Sequence, residues 1–148
     1  MKENVILKLT SKDDKFSCAF ADKIILESEE TDQWYEYFND FAKLLNSPKS
    51  LVRNRAIYIL AANVRWDAEN YFDSIIADFL LHIVDEKPIT ARQCIKSLVQ
   101  IGQDKPQYIP MMLTSLHEAD LLKYKDSMRP LIERDIVETE KALRTYAG

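Results

Sequence analysis

Apolar residues recur along this chain at the spacing of helix faces. Trp34, Phe38, Phe41 and Leu45 fall three or four residues apart, which puts their side chains on one side of a helix. Phe72, Ile75, Ile76, Phe79, Leu80 and Ile83 repeat the pattern, and so do Ala91, Cys94, Ile95, Leu98 and Ile101. Ile109, Met112, Leu113 and Leu116 follow, then Met128, Leu131, Ile132, Ile136 and Leu143. From Ala56 to Ala62 the run is apolar on nearly every side, which predicts a helix covered by several neighbours at the centre of the fold. Proline fits a first helical turn, and serine or aspartate can cap its free amides. On that basis Ser47-Pro48 and Pro88 open two helices, Ser11-x-x-Asp14 resembles a capping box, Asp67 caps the helix bearing Tyr71, and Asp126 or Ser127 opens the last helix. Eight helices are predicted, over about 2–10, 12–28, 32–46, 48–65, 67–85, 88–102, 106–118 and 126–146, grouped as four hairpins.

The chain also matches itself. A shift of 38 lays Phe41 on Phe79, Leu45 on Ile83, Leu51 on Ile89, Ala56 on Cys94, Ile57 on Ile95 and Leu60 on Leu98. A shift of 37 lays Tyr71 on Tyr108, Ile76 on Leu113, Arg92 on Arg129 and Ile95 on Ile132. Self-similarity at a fixed period of this size is how stacked repeat architectures appear in sequence. The expectation is an all-α chain built as an α-solenoid of about four helical hairpins.

The segment Ser47-Pro48-Lys49-Ser50-Leu51-Val52-Arg53-Asn54-Arg55-Ala56, with Leu60 four residues on, resembles the second-helix pattern of HEAT repeats: a small polar turn with proline, then Val-Arg, then Ala and Leu. Pro88 to Leu98 is a looser copy and 126–137 a weaker one, so the resemblance covers about 32–137. It implies one right-handed solenoid domain over 1–148, with three HEAT-like hairpins in 31–146. The first hairpin, 1–30, keeps apolar spacing in Phe16, Phe20 and Ile24 but has no Val-Arg pair, and is expected to be an atypical cap. The chain is similar to small stand-alone bacterial HEAT-like proteins, which implies binding surfaces rather than an assigned reaction.

Composition narrows the alternatives. Only Gly102 and Gly148 are glycines, and sheets depend on glycine for tight turns and bulges, so helices with short polar connections are favoured. With 47% hydrophobic and 30% charged residues the chain is too apolar to be disordered, and its 148 residues suffice to bury a core without a staple. Cys18 and Cys94 lack any C-x-x-C spacing and are expected to be buried free thiols in a reducing, cytoplasmic setting. The apolar run Val5-Ile6-Leu7 is too short for a signal peptide, and no stretch reaches the roughly 18 apolar residues of a membrane span.

A net charge of −4 becomes informative once divided by helix. Glu27 to Asp40 holds six acids and no base, and Asp67 to Glu86 again six acids and no base. The helices between hold Lys49, Arg53, Arg55 and Arg65, or Lys87, Arg92 and Lys96, without an acid. In a stack of hairpins this alternation gives two electrically different faces. By the HEAT resemblance the second helices form the concave face, and a ridge of Tyr58, Arg92, Lys96, Gln100 and Arg129, with Arg65 and Trp66 near its edge, is the candidate contact surface. The plain alternative is that these bases tie the hairpins together through internal ion pairs.

No catalytic pattern stands out. His82 and His117 lack spaced ligand partners, so no metal site is expected. Two glycines cannot build a phosphate loop, no G-x-S-x-G is present, and no cofactor is implied. Trp34, Tyr35, Tyr37, Tyr71 and Phe72 read as core packing rather than a ligand cage. The leading expectation is a non-enzymatic interaction module docking an acidic protein segment on the second-helix face, with no membrane role. The alternative is nucleic-acid binding, since HEAT-like DNA glycosylases by resemblance use a positive concave surface. A third class, an enzyme subunit such as the bilin-lyase-associated HEAT proteins, has no specific support.

Overall fold

The computed structural model describes residues 2–147. Among them every regular element is helical: α1 (Lys2–Leu9), α2 (Asp14–Ser28), α3 (Phe38–Lys43), α4 (Ser50–Asn63), α5 (Tyr71–Leu81), α6 (Pro88–Asp104), α7 (Ile109–His117) and α8 (Arg129–Tyr146). The chain is all-α over these residues. It divides into two compact units, Met1–Ile75 and Ile76–Gly148, and the boundary falls inside α5.

Helix ends differ from the sequence expectation in instructive ways. The segment 32–46 is not one helix but α3 between two 3-10 turns, Tyr35–Tyr37 and Leu44–Asn46. Tightened 3-10 turns, Val64–Trp66 and His82–Val84, also finish α4 and α5. Such turns supply hydrogen bonds to the carbonyls that an α-helix end leaves unpaired. Asp13, not Ser11, caps α2: its carboxylate accepts from the Phe16 amide at 3.1 Å, while the Ser11 hydroxyl serves the Asp13 amide. Asp126 and Ser127 do not open α8, which starts at Arg129 after Met128 with Pro130 in its first turn. The expected role of Asp67 holds, its two oxygens accepting from the Tyr71 and Phe72 amides at 2.9 Å each. The chain enters α5 through Asn70 at φ 58°, a left-handed conformation that asparagine tolerates better than most residues.

In the first unit α4 packs against α2 and α3. Ala56, Ile57, Ile59, Leu60, Ala61 and Ala62 are all buried, and only Tyr58 of that run reaches solvent. Phe38, Phe41, Leu45 and Phe72 are fully covered, each contributing on the order of 2–3 kcal/mol of burial. Polar side chains close the helix ends. Ser17 donates to the carbonyl of Lys8 at 2.7 Å, Arg55 to that of Leu9 at 2.9 Å, and the Trp66 indole to that of Ser28 at 2.7 Å. These are last-turn carbonyls without helical partners, so each bond stabilises a terminus and ties two elements together.

In the second unit α6 packs along α8 and against α7 and the turn 82–84. Ala91, Cys94, Ile95, Leu98 and Ile101 form its buried stripe. The helices approach closely at Gly102, where a Cβ would stand 2.6 Å from Leu143 Cδ2 and 3.2 Å from Ile109 Cγ1. Two apolar readings need correction. Cys18 is exposed while Cys94 is buried, and both are free thiols. Phe16, expected on an apolar stripe, is 46% exposed.

Local structure repeats with the period seen in the sequence. Turn Leu44–Asn46 becomes His82–Val84, and α4 beginning at Ser50 becomes α6 beginning at Pro88, both 38 residues on. Lys49 and Lys87 precede these helices with nearly the same backbone, φ −90° and ψ 121° against φ −99° and ψ 120°. Their amides donate to Ser47 Oγ and Asp85 Oδ1, side chains also 38 apart. The carbonyls of Lys49, Lys87 and Lys125 accept from the amides of Arg53, Ala91 and Arg129.

Candidate functional site on the second helices

Of the residues expected to form a contact ridge, Tyr58, Arg65 and Trp66 belong to the first unit and Arg92, Lys96 and Arg129 to the second. Tyr58 is 40% exposed on α4, and burial of the rest of its ring pushes the phenol pKa up. Arg65 is exposed and donates to the carbonyl of Glu29 at 3.3 Å. Trp66 is a strut rather than an open indole, held by its bond to Ser28.

Most of the arginines are committed inside the fold. Arg53 and Arg55 are 7% and 6% exposed. Arg53 donates to the carbonyl of Ser47 at 2.9 Å, and Arg55 adds to its Leu9 bond a contact with Asp14 at 3.1 Å. That guanidinium, with Lys49 at 3.3 Å, holds the Asp14 carboxyl below its ordinary range. Arg129 donates to the carbonyls of Leu121 at 3.3 Å and Tyr124 at 2.9 Å and pairs with Asp126 at 3.1 Å. Arg53 and Arg129 thus do the same work, each fixing the connection that precedes its own helix. The Arg129 donors thus face the loop that precedes α8.

The α6–α8 contact contains a cluster of charged side chains. Asp135 is 3% exposed on the inner stripe of α8 formed by Ile132, Asp135, Ile136, Thr139 and Leu143. Arg92 Nε donates to Asp135 Oδ2 at 2.6 Å and Nη2 to Oδ1 at 3.4 Å. This fork is the strong form of charged hydrogen bond, and it pushes the Arg92 pKa above its ordinary value. Lys96, one turn further, stands 3.8 Å from Oδ1 with its side chain 56% exposed. At that distance it has an electrostatic contact but no hydrogen bond, so its three donors remain available. Lys96, Val99, Asp135, Glu138 and Thr139 line a cavity of about 180 Å³ there.

Asp135 is the residue that sequence reasoning missed. A carboxylate on an otherwise apolar stripe was the available signal, because a buried charge needs a partner. Arg92 was singled out as exposed, and 43 residues of sequence separate the two. Elsewhere His82 is buried with Nδ1 3.0 Å from the carbonyl of Asp78, while His117 is exposed on α7. Among the described residues there is no group of three or more histidine, cysteine or acidic side chains able to hold a metal. Among them, too, no helix is long and apolar enough to cross a membrane. In comparisons with known proteins, no family model, no curated protein and no solved structure matches the chain.

Proposed function

We propose that the chain is a short HEAT-like repeat, a right-handed solenoid of about four hairpins, whose work is to hold another protein rather than to catalyse a reaction. The recurrence of turn, lysine and helix at 38 residues carries the repeat reading. Repeats of this kind stack and present extended surfaces. The two free thiols fit a reducing compartment such as the cytoplasm.

The partner is a protein with an acidic segment, and its docking point narrows to the α6–α8 groove. Arg92 stays on Asp135 and holds α8 to α6, while Lys96 offers its donors outward over the cavity. The rim is mixed, since Glu138 faces the same cavity. A partner is then selected by where its carboxylate falls rather than by bulk charge. Nucleic acid is the weaker reading, because a phosphate backbone needs several free bases along one face and Arg53, Arg55, Arg92 and Arg129 hold internal partners.

Titration of a labelled glutamate-rich peptide by fluorescence anisotropy tests this. Binding weakens in Lys96→Glu and is unaffected by Lys15→Glu on α2. Equal affinity for wild type and both variants contradicts the assignment.

A further inference from the structure

In the first unit four aromatic rings form a strip that the fold leaves partly open. Phe16 stacks on Phe20 with centroids 6.5 Å apart, Phe20 meets Trp34 edge-on at 6.1 Å, and Trp34 tilts against Tyr37 at 6.0 Å. Phe16 is 46% exposed and the other three are half-buried. Ring faces carry negative charge density and attract cations. One such contact already exists, Lys8 Nζ lying 5.2 Å from the Phe20 centroid.

The Trp34–Tyr37 end is built differently. Glu27 Oε1 accepts from Trp34 Nε1 at 3.0 Å, which fixes the half-buried indole. Glu30, Asp32 and Glu36 are exposed around the two rings in sequence, and their carboxylates have no ion-pair partner among the described residues. The stretch from Glu27 to Asp40 contains no base. Where Arg53, Arg55 and Arg92 spend their charge inside the fold, Glu30, Asp32 and Glu36 keep theirs outside.

We infer that the strip docks a short basic segment of a partner protein. An arginine or lysine lies on the Trp34 and Tyr37 faces within reach of Glu30, Asp32 and Glu36, and an apolar side chain covers Phe16. Arginine suits the place best, because a guanidinium stacks on a ring and pairs with a carboxylate at once. An acidic segment would instead meet unpaired carboxylates. This surface is separate from Lys96 and does not depend on the reading given to it.

The test is anisotropy of a labelled arginine-rich heptapeptide with one central leucine. Wild-type protein is compared with Glu30→Lys/Glu36→Lys, with Phe16→Ala, and with a charge-matched control in the second unit, Glu118→Lys/Glu133→Lys; far-UV circular dichroism checks that each is folded. Affinity falls about tenfold in the first pair and about threefold in Phe16→Ala, and stays within about twofold in the control. Absence of binding to wild type, unchanged affinity in the Glu30/Glu36 pair, or an equal loss in the control overturns the inference.

Discussion

Replacing Asp135 by alanine removes the anion that holds α6 to α8. In the folded protein this carboxylate is 3% exposed and receives Arg92 at 2.6 Å and 3.4 Å, with Lys96 at 3.8 Å. Breaking a fully buried pair from one side costs about 3–5 kcal/mol, because the remaining charge is stranded. Here the stranded cations are not fully buried, since the Arg92 side chain is 27% exposed and that of Lys96 56%. Water reaches both, so the cost falls to about 2 kcal/mol, above the 0–1 kcal/mol of a surface pair. Urea denaturation followed at 222 nm then shows a midpoint lower by about 1 M, and Tm falls by about 4–8 °C. Asp135→Asn keeps the shape and one acceptor and loses about half as much. In a double-mutant cycle, Arg92→Ala and Asp135→Ala couple by at least about 1 kcal/mol. A midpoint for Asp135→Ala within about 0.2 M of wild type, or a coupling near zero, would mean that the Arg92–Asp135 pair does not hold α8 to α6.

Other outcomes follow from the same geometry. Asp67→Ala strips the amides of Tyr71 and Phe72 of their acceptor and the Tyr35 hydroxyl of its own, and costs about 2 kcal/mol by denaturant melts. Tyr124 is buried with its hydroxyl donating to the carbonyl of Asp85, and burial followed by the Asp85 charge pushes its pKa up to about 12. A raised phenol favours the neutral form in the fold, so its contribution to stability is complete below about pH 10 and is lost as pH rises toward 12. Absorbance at 295 nm detects this as tyrosine that ionises at pH 11 only after unfolding. Burial also pushes the Cys94 thiol well up, whereas Cys18 is exposed, so Ellman's reagent titrates one thiol in the native protein and two in denaturant.

The helices were legible because their apolar faces are regular. Phe72, Phe79 and Ile83, or Cys94, Ile95 and Leu98, alternate with polar residues strictly enough to place α5 and α6 within a few residues. Ends were less legible, since Ser11, Asp13 and Asp14 can each cap and only the path of the chain decides that Asp13 does. The amino-terminal hairpin misled most: the stripe of Phe16, Phe20 and Ile24 looks like core, yet exposure falls along it from Phe16 to a fully buried Ile24. The charged site was half legible. Lys96 was rightly marked as outward, but the fate of Arg92, Arg129 and Arg53 depends on Asp135 and on loop carbonyls, which no helical period displays. A backbone carbonyl looks the same in every sequence. Whether it stands orphaned within an arginine's reach is decided by the fold.

Arg53, Arg55, Arg92 and Arg129 are structural cross-links, which leaves Lys96 outside as the exposed cation of α6. Side-chain ¹⁵N NMR of the arginine Nε–H groups reads this at each residue. Arg92, whose Nε donates to Asp135, and Arg129, whose Nε donates to Leu121, give shifted resonances that exchange slowly with water, while Arg65, Arg134 and Arg144 exchange fast. Uniform fast exchange of all the arginine side chains would mean that Arg92 and Arg129 are free in solution and not cross-links.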